Sequence, residues 1–344
     1  MAQDKNITYK ILTRLWKSGD TQSLNISDKK LAIFSDLHLG DGGPADDFHH
    51  NEEILLTALS FYKKNDYTII LLGDIEELWQ FDLEQVKIRY NNSVYKKLRS
   101  FENERIIRIF GNHDLQWQSA PDPTMKNPVS NRGAPEALKL KFQNDDAIIM
   151  LVHGHQGNVE SDKMSWVSKF FVRGIFKTFE PFIKFLGFYG HPAATKSQIT
   201  NDYEKIMYSW AKKNKVILIC GHTHRAIFAA KSSICRLEEK IEKLKSEIKF
   251  SRTSKTTIRK NREKIREIKN KIREEKRKNR NIVELEPVNK PLPCYFNSGC
   301  GLYTDGITNL EIADNKIKLV KWIEGASKPK IFSGCEERLS EINF

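Results

Sequence analysis

The stretch Val216-Ile217-Leu218-Ile219-Cys220-Gly221-His222-Thr223-His224 joins an apolar run to two histidines that are separated by one residue. The run predicts a buried strand, and Gly221 is expected to let the backbone turn sharply after it. Residues i and i+2 of an extended chain project to the same side, so the two imidazoles are expected to lie together. Imidazole commonly binds borderline divalent metals, so the stretch indicates a metal site at a strand end.

Four other stretches repeat this pattern of a short apolar run followed by ligand-type side chains. They are 31–34 followed by Asp36 and His38, 67–72 followed by Asp74, 105–110 followed by Asn112 and His113, and 147–152 followed by His153 and His155. Helical spacing of apolar residues recurs at 7–17, 51–64 and 197–213, and further strands are expected at 294–297, 308–312 and 316–320. Strands that alternate with helices predict an α/β fold in which strand ends converge on one edge.

The composition is that of a globular protein, with 344 residues of which 39% are hydrophobic. The five cysteines are scattered, which argues against a disulfide framework and favours a reducing cytoplasm. Neither a secretory signal nor an apolar run long enough to span a membrane is visible in the sequence. A cytoplasmic protein is therefore expected, with a location peripheral to a membrane as the alternative.

The basic character of the chain is confined to one segment. Residues 231–280 hold 20 Lys and Arg against 8 Glu, which accounts for nearly all of the net charge of +13. Apolar residues at a/d spacing on both sides of a polar stretch predict an antiparallel coiled-coil hairpin here. Such a hairpin could bind nucleic acid, an anionic membrane surface or a protein partner, and it could equally be a solvated arm that binds none of them. The expected catalytic domain is then 1–230 together with 281–344.

Residues 163–189 form a second insertion with two interpretations. Four cations fall within one helical arc, and most of the large apolar residues fall on the other side. A basic amphipathic helix of this kind can lie on a membrane or close over an apolar substrate. It can equally be a helix that packs on the core with solvated lysines.

The candidate ligands point to a pair of divalent metal ions. The set contains Asp36, His38, Asp74, Asn112, His153, His222 and His224. Carboxylate, amide and imidazole groups suit Mn²⁺, Fe or Zn²⁺ better than Ca²⁺ or Mg²⁺. Asp74 is the natural bridge, and two ions about 3.5–4 Å apart can bind phosphate oxygens and activate a hydroxide for attack on phosphorus.

Together, the five motifs resemble those of the calcineurin-like metallophosphoesterases, in their order and in their placement at strand ends. The resemblance covers residues 31–225, and the closing strands are expected to extend it to about 322. It implies a four-layer α/β/β/α sandwich that holds paired metal ions. It assigns Asp36, His38, Asp74 and His224 to one ion, and Asp74, Asn112, His153 and His222 to the other.

The same resemblance implies roles beyond the ligands. In the family the histidine of the third motif, here His113, contacts the scissile phosphate or protonates the leaving oxygen. It leans on an acidic residue, commonly Asp, where this chain has Glu77. Arg225 follows the last ligand, where a guanidinium could hold a phosphate or pyrophosphate or form a surface salt bridge. Asn112 would face the phosphate beside His113, and His155 is expected to be structural.

The substrate is expected to be a phosphodiester, a pyrophosphate or a phosphomonoester. The helical insertion and Arg225 are similar to features of the UDP-2,3-diacylglucosamine pyrophosphatases, although those enzymes carry Arg at the position of His113. A nuclease guided by the basic hairpin and a serine/threonine protein phosphatase are alternatives. The third possibility is a scaffold with structural metals and a hairpin that binds a partner.

Overall fold

The computed structural model describes residues 5–102, 105–119, 133–142, 148–157, 193–230, 233–250, 255–278 and 292–342. The amphipathic insertion predicted at 163–189 lies outside the described residues.

The strands of the described chain form two six-stranded sheets. Their bounds are β1 (Ser23–Asn25), β2 (Lys30–Phe34), β3 (Tyr67–Leu72), β4 (Ile106–Ile109), β5 (Ala137–Lys141), β6 (Ile149–Val152), β7 (Ile217–Cys220), β8 (Ala226–Ile227), β9 (Tyr295–Ser298), β10 (Ile307–Ala313), β11 (Lys316–Trp322) and β12 (Lys330–Arg338). One sheet has the order β12-β11-β10-β2-β3-β4, and the other has the order β1-β5-β6-β7-β9-β8. Strands β2, β3 and β4 are parallel neighbours, as are β6, β7 and β9.

The α-helices lie mainly between the strands in sequence. They are α1 (Lys5–Lys17), α2 (Glu52–Lys64), α3 (Leu83–Tyr90), α4 (Lys96–Arg99), α5 (Ala193–Asn214), α6 (Ser233–Phe250) and α7 (Lys255–Lys278). A π-helical turn, Asn91–Tyr95, joins α3 to α4. Within the described ranges, no helix combines the length and the apolar character that crossing a lipid bilayer requires.

Three apolar clusters define four layers. Strand β3 shows the principle: Ile70 and Leu72 pack in the cluster between the two sheets, while Ile69 and Leu71 pack in the cluster beneath α2. Both faces are covered because successive side chains of a strand point to opposite faces. A third cluster joins α1 and α5 to the outer face of the second sheet. The expected α/β/β/α sandwich is therefore confirmed.

Four strands, β1, β5, β8 and β12, were not expected from the sequence. The first three are short or polar. Strand β12 has the sequence Lys-Ile-Phe-Ser-Gly-Cys-Glu-Glu-Arg, which lacks the apolar pattern of a strand and contains a glycine. Each forms because a partner strand is already in place, as β11 is for β12. Strand propensity depends strongly on such context, so the local sequence does not reveal these four strands.

The basic segment forms two helices that pack on each other. Ile241 and Leu244 of α6 and Ile268 and Ile272 of α7 are buried in a cluster of their own. After them the chain returns to the second sheet, where β9 lies between β7 and β8. This topology supports treating 231–280 as an insertion in the catalytic domain; the coiled-coil geometry and the domain division stay predictions.

A buried ion pair fixes the loop after β3 against β4. Arg108 donates two hydrogen bonds to Glu76, at 2.7 and 3.0 Å, and both side chains are almost fully buried. Glu76 also accepts hydrogen bonds from Tyr95 and Trp117. Asp74 lies in the same loop as Glu76. By fixing this loop, the network helps to set the position of a candidate ligand.

We predict that Arg108→Met destabilises the fold by about 3–5 kcal/mol, because it leaves the charge of Glu76 buried without its cation. The double variant Arg108→Met/Glu76→Gln is expected to recover part of that loss. Urea denaturation followed by circular dichroism measures both changes. Lys87→Met, which breaks the exposed pair with Glu84, is the matched control and is expected to cost less than about 1 kcal/mol. Equal losses for Arg108→Met and Lys87→Met would contradict the prediction.

Candidate metal centre

The predicted ligands lie where the strands of both sheets end. Asp36 and His38 follow β2, Asp74 follows β3, Asn112 follows β4, His153 follows β6, and His222 and His224 follow β7. Because the two sheets stack face to face, their carboxyl ends bring these side chains to one edge of the sandwich.

One group of candidate ligands contains Asp36, His38 and His224, whose ligand atoms lie within 4.8 Å of one another. The Nε2 atoms of the two histidines are 3.1 Å apart. Oδ1 of Asp36 lies 3.3 Å from Nε2 of His224 and 3.9 Å from Nε2 of His38. Three lone-pair donors that face a common point in this way fit a divalent cation.

A second group contains Asp74, His153 and His222. Nε2 of His153 lies 2.9 Å from Oδ2 of Asp74. Oδ1 of Asn112 is buried without a hydrogen-bond partner. Buried polar atoms are normally satisfied, so this unsatisfied oxygen supports a cation at this position as well. Oδ1 of Asp36 lies 3.9 Å from Nε2 of His153, which places the two groups side by side.

The backbone at these positions is not extended, contrary to the argument from sequence. Five candidate ligands have φ in the left-handed region: Asp36 (52°), His38 (53°), Asp74 (52°), His222 (68°) and His224 (56°). Non-glycine residues seldom adopt this conformation, and it tends to occur at functional sites. His222 and His224 consequently belong to different groups and do not lie together as an i, i+2 pair would.

Gly221 is required for space and not for a sharp turn. A Cβ atom at this position would collide with the side chains of Ser35 and Asp36. The backbone N–H of His222 donates to Asp36 at 2.9 Å, so the β7 turn must approach the β2 turn closely. Asn297 of β9 fixes the same turn by donating to the carbonyl of Gly221 at 2.6 Å.

The charges of the second group are mutually stabilising. Burial disfavours ionisation of Asp74, but His153 and His113 outweigh burial and hold the pKa of this carboxyl well below its usual range. Burial also disfavours the charged form of His153, but Asp74 and Asp36 raise its pKa to about 10. Burial and then the charge of His153 lower the pKa of His222 to about 3. A divalent cation at this position would oppose the protonation of His153 and would favour the neutral rings that metal binding requires.

Glu77 holds two histidines at once. Its Oε1 lies 2.7 Å from Nδ1 of His113, and its Oε2 lies 2.6 Å from Nδ1 of His38. A carboxylate on Nδ1 leaves Nε2 of each ring free to face the site. The longer side chain of Glu, where the family commonly has Asp, thus connects a candidate ligand to the candidate acid.

His113 lies at the rim of the two groups, with a side chain that is 20% exposed. Its backbone N–H donates to Oδ1 of Asp74 at 2.8 Å. Burial lowers the pKa of the ring, but Glu77 and then Asp74 outweigh burial and raise the pKa to about 9. Bound divalent cations would oppose this shift.

Trp79 is a site residue that the sequence did not reveal. Its indole stacks on the ring of His113 with centroids 3.9 Å apart, and its Nε1 donates to the carbonyl of Asn112 at 2.8 Å. It therefore restrains two members of the third motif. No local signal in the sequence marks it, because both contacts are with residues of the third motif, which follows the next strand.

Arg225 forms an ion pair with a buried carboxylate that the sequence also left unnoticed. Its Nη1 lies 2.9 Å from Oε2 of Glu204, which is fully buried on α5. Burial raises the pKa of Glu204 to about 7, and Arg225 opposes that rise. The role of Arg225 in holding phosphate stays a prediction, and Glu204 is the residue that would position it.

His155 belongs to neither ligand group. Its ring centroid lies 5.6 Å from that of His153 and 6.1 Å from that of Phe110. Burial lowers the pKa of His155 well below its usual range, and the charge of His153 acts in the same direction. These surroundings suit a neutral packed ring, in line with the structural role expected for it. The cysteines whose side chains are described, at 220, 294, 300 and 335, are all buried.

Comparison with known proteins gives one family match. A family model described as calcineurin-like phosphoesterase matches residues 29–226. No curated protein matches. Among solved structures, Vacuolar Protein Sorting 29 from Cryptosporidium parvum aligns over 90% of this chain and 98% of its own, with 13% sequence identity and a TM-score of 0.36.

We predict that Glu77→Gln lowers kcat by about 10–100-fold on substrates with alkoxide leaving groups, because His113 loses its carboxylate partner. The same loss lowers the pKa of His113, so activity should fall at a lower pH on the alkaline side. A p-nitrophenolate leaving group needs less protonation and should be less affected. Kinetics across pH with both substrate types measure this, and equal losses on both would contradict the assigned role.

We predict that Glu204→Gln raises KM by about tenfold while kcat changes by less than about threefold, because the guanidinium of Arg225 loses its anchor. Arg225→Lys keeps the charge but not the fork geometry and should also raise KM. Steady-state kinetics separate the two parameters, and thermal unfolding shows whether the variants are folded. A fall in kcat at unchanged KM would assign Glu204 a different role.

Proposed function

Because this chain belongs to the calcineurin-like phosphoesterase family, it is a metal-dependent phosphoric ester hydrolase, and we propose that it acts on a phosphodiester or a pyrophosphate. One observation carries the proposal: two groups of metal-type ligands adjoin each other, and His113 lies beside both, with its Nδ1 hydrogen-bonded to Glu77. A pair of cations and a proton donor are what cleavage of a P–O bond with a poor leaving group needs.

The proposed ligands are Asp36, His38, Asp74 and His224 for one ion, and Asp74, Asn112, His153 and His222 for the other. The two groups and the orphaned Oδ1 of Asn112 support this division. We propose Mn²⁺ as the metal, with Fe or Zn²⁺ as alternatives, since the groups combine carboxylates and imidazoles without a thiolate. Bound divalent ions would polarise the phosphoryl oxygens and lower the pKa of nearby water.

In this proposal His113 is the general acid. Its Nδ1 is engaged by Glu77, so the opposite ring nitrogen carries the proton toward the substrate. The neighbouring carboxylates favour the protonated ring at neutral pH. When the P–O bond breaks, transfer of this proton neutralises the leaving oxygen, which matters most for alkoxide and sugar leaving groups.

The choice of a diester or pyrophosphate over a monoester rests on Arg225. This residue directly follows His224, and Glu204 anchors its guanidinium. A planar guanidinium binds phosphate oxygens in a bidentate manner, so it suits a second phosphate or the second ester oxygen of a diester. The insertion at 163–189, which suggested an apolar lipid-sugar substrate, lies outside the described residues.

A nuclease is the second candidate function, and a specific observation favours it. Helix α7 is strongly basic, and its exposed side chains include Arg262, Arg266 and Arg273. Nucleic acid is a polymer of phosphodiesters, so the same catalytic residues would serve both candidates. A phosphomonoesterase, including a serine/threonine protein phosphatase, makes no evident use of this surface.

We predict that Asp74→Asn lowers kcat/KM for bis-p-nitrophenyl phosphate by more than about 100-fold, since even outer partners of metal ligands are worth 10–100-fold. Asparagine is the best replacement because it tolerates the left-handed backbone of Asp74. Addition of Mn²⁺ to chelator-treated protein should raise the unfolding temperature of the native chain and much less that of the variant.

Glu84→Gln, a change at an exposed carboxylate of α3, is the matched control and should keep both the activity and the metal-dependent stabilisation. Metal analysis of the purified protein should find up to two ions per chain. Full hydrolysis by Asp74→Asn, or a metal-induced stabilisation equal to that of the native chain, would contradict the proposed ligand set.

A further inference from the structure

One side of α7 carries an unbroken row of positive charge. It consists of Arg259, Arg262, Arg266, Lys269 and Arg273, here called the arginine stripe, and all five side chains are exposed. The steps of three and four residues place these side chains within an arc of about 80° on an α-helix. The stripe is therefore a continuous feature of the helix and not scattered charge.

The stripe is free of acidic residues over the described length of α7. Its glutamates, including Glu263 and Glu267, fall outside the arc and on the side that carries Lys260 and Lys264. Arg259 reaches Glu263 at 3.1 Å, but both side chains are largely exposed, so this pair is weak. The two sides of the helix thus differ in electrostatic potential, because one side carries only cationic side chains and the other carries both lysines and glutamates.

The apolar side of α7 is already occupied. Ile268 and Ile272 are buried against Ile241 and Leu244 of α6. A helix that lies in a membrane interface must insert its apolar face among the lipids. Here insertion would require α6 and α7 to separate, so a polyanion bound along the outside fits the surface better than a lipid bilayer.

We propose that the arginine stripe is a binding site for the phosphate backbone of nucleic acid. Four of its five cations are Arg, whose planar fork matches phosphate oxygens better than the ammonium of Lys. From Arg259 to Arg273 the stripe is about 21 Å long at 1.5 Å per residue. One strand of a duplex presents about six phosphates over that length, close to the number of cations.

This site acts through charge and position and reads no base sequence. Among the described residues, the partners of these side chains, Glu263 for Arg259 and Asn270 for Arg273, are themselves exposed and would not fix an arginine against a base edge. Binding should therefore be general for nucleic acids and should weaken steeply with salt. The site is independent of the catalytic residues, so it would deliver nucleic acid to the chain whether or not that nucleic acid is hydrolysed.

Two triple variants of the full-length chain test the proposal. Arg262→Gln/Arg266→Gln/Arg273→Gln removes three charges from the stripe, whereas Lys260→Gln/Lys264→Gln/Lys271→Gln removes three at the same spacing from the opposite side, where all three lysines are also exposed. Fluorescence anisotropy of labelled duplex DNA and single-stranded RNA, without added divalent metal, gives Kd from about 50 to about 200 mM salt.

The stripe variant should bind duplex DNA on the order of 10–100-fold more weakly than the native chain, and its salt slope should be smaller by about 2–3. The lysine variant should stay within about threefold of the native chain. Hydrolysis of bis-p-nitrophenyl phosphate and thermal unfolding should be unchanged in both, so failure of this proposal is distinct from failure of the proposed chemistry.

Equal weakening of nucleic-acid binding in the two variants would overturn the proposal. It would show that binding depends on the total charge of the helix and not on the arginine stripe. Absence of binding to both nucleic acids by the native chain would also overturn it. Binding of the native chain and of the stripe variant to phosphatidylserine vesicles is measured in parallel, as a test for an anionic membrane surface. Stripe-dependent binding to vesicles that exceeds binding to nucleic acid would reassign the surface to an anionic membrane.

Discussion

Two buried carboxylates, Asp36 and Asp74, impose the constraint on which the structure depends. Both are essentially inaccessible to water, and burial acts to raise both pKa values, but the charge of His153 and the contributions of further histidines outweigh burial and lower them. The N–H of His222 donates to Asp36, and the N–H of His113 donates to Asp74. Each aspartate therefore ties its own strand to a neighbouring turn, and the sandwich is closed at this edge by charge as much as by apolar packing.

The cost of this arrangement appears in the residues around it. Asp114 accepts hydrogen bonds from the backbone of Gly111 and Ile75. Its burial, followed by its proximity to Asp74, raises its pKa to about 7. Gly73 and Gly111 lie so close to His153 and Asp74 that a Cβ atom would collide at either position. Close approach of three turns, and not any single ligand, gives the centre its form.

Much of the fold and of the site could be predicted from the sequence. The five strands that carry ligands are mainly apolar, although β4 includes Arg108, and their ligands follow within a few residues, so a local signal exists for each. Glu204 and Trp79 had no such signal, because their roles come from contacts with residues far away in the chain. The left-handed backbone at His222 and His224 was missed for another reason. The sequence His-x-His is the same whether the backbone is extended or turned, so it does not reveal the φ angles.

Strand β9 has a consequence for how the molecule is made. All seven proposed ligands precede residue 225, yet β9 lies between β7 and β8, and its Asn297 holds the turn that carries His222. In the other sheet, β2 needs β10 as its neighbour. During synthesis on the ribosome, the ligands therefore emerge well before the segments that frame them. A nascent chain that stops before residue 295 has every ligand but lacks the strand that holds the β7 turn, so the centre can mature only after β9 has been synthesised.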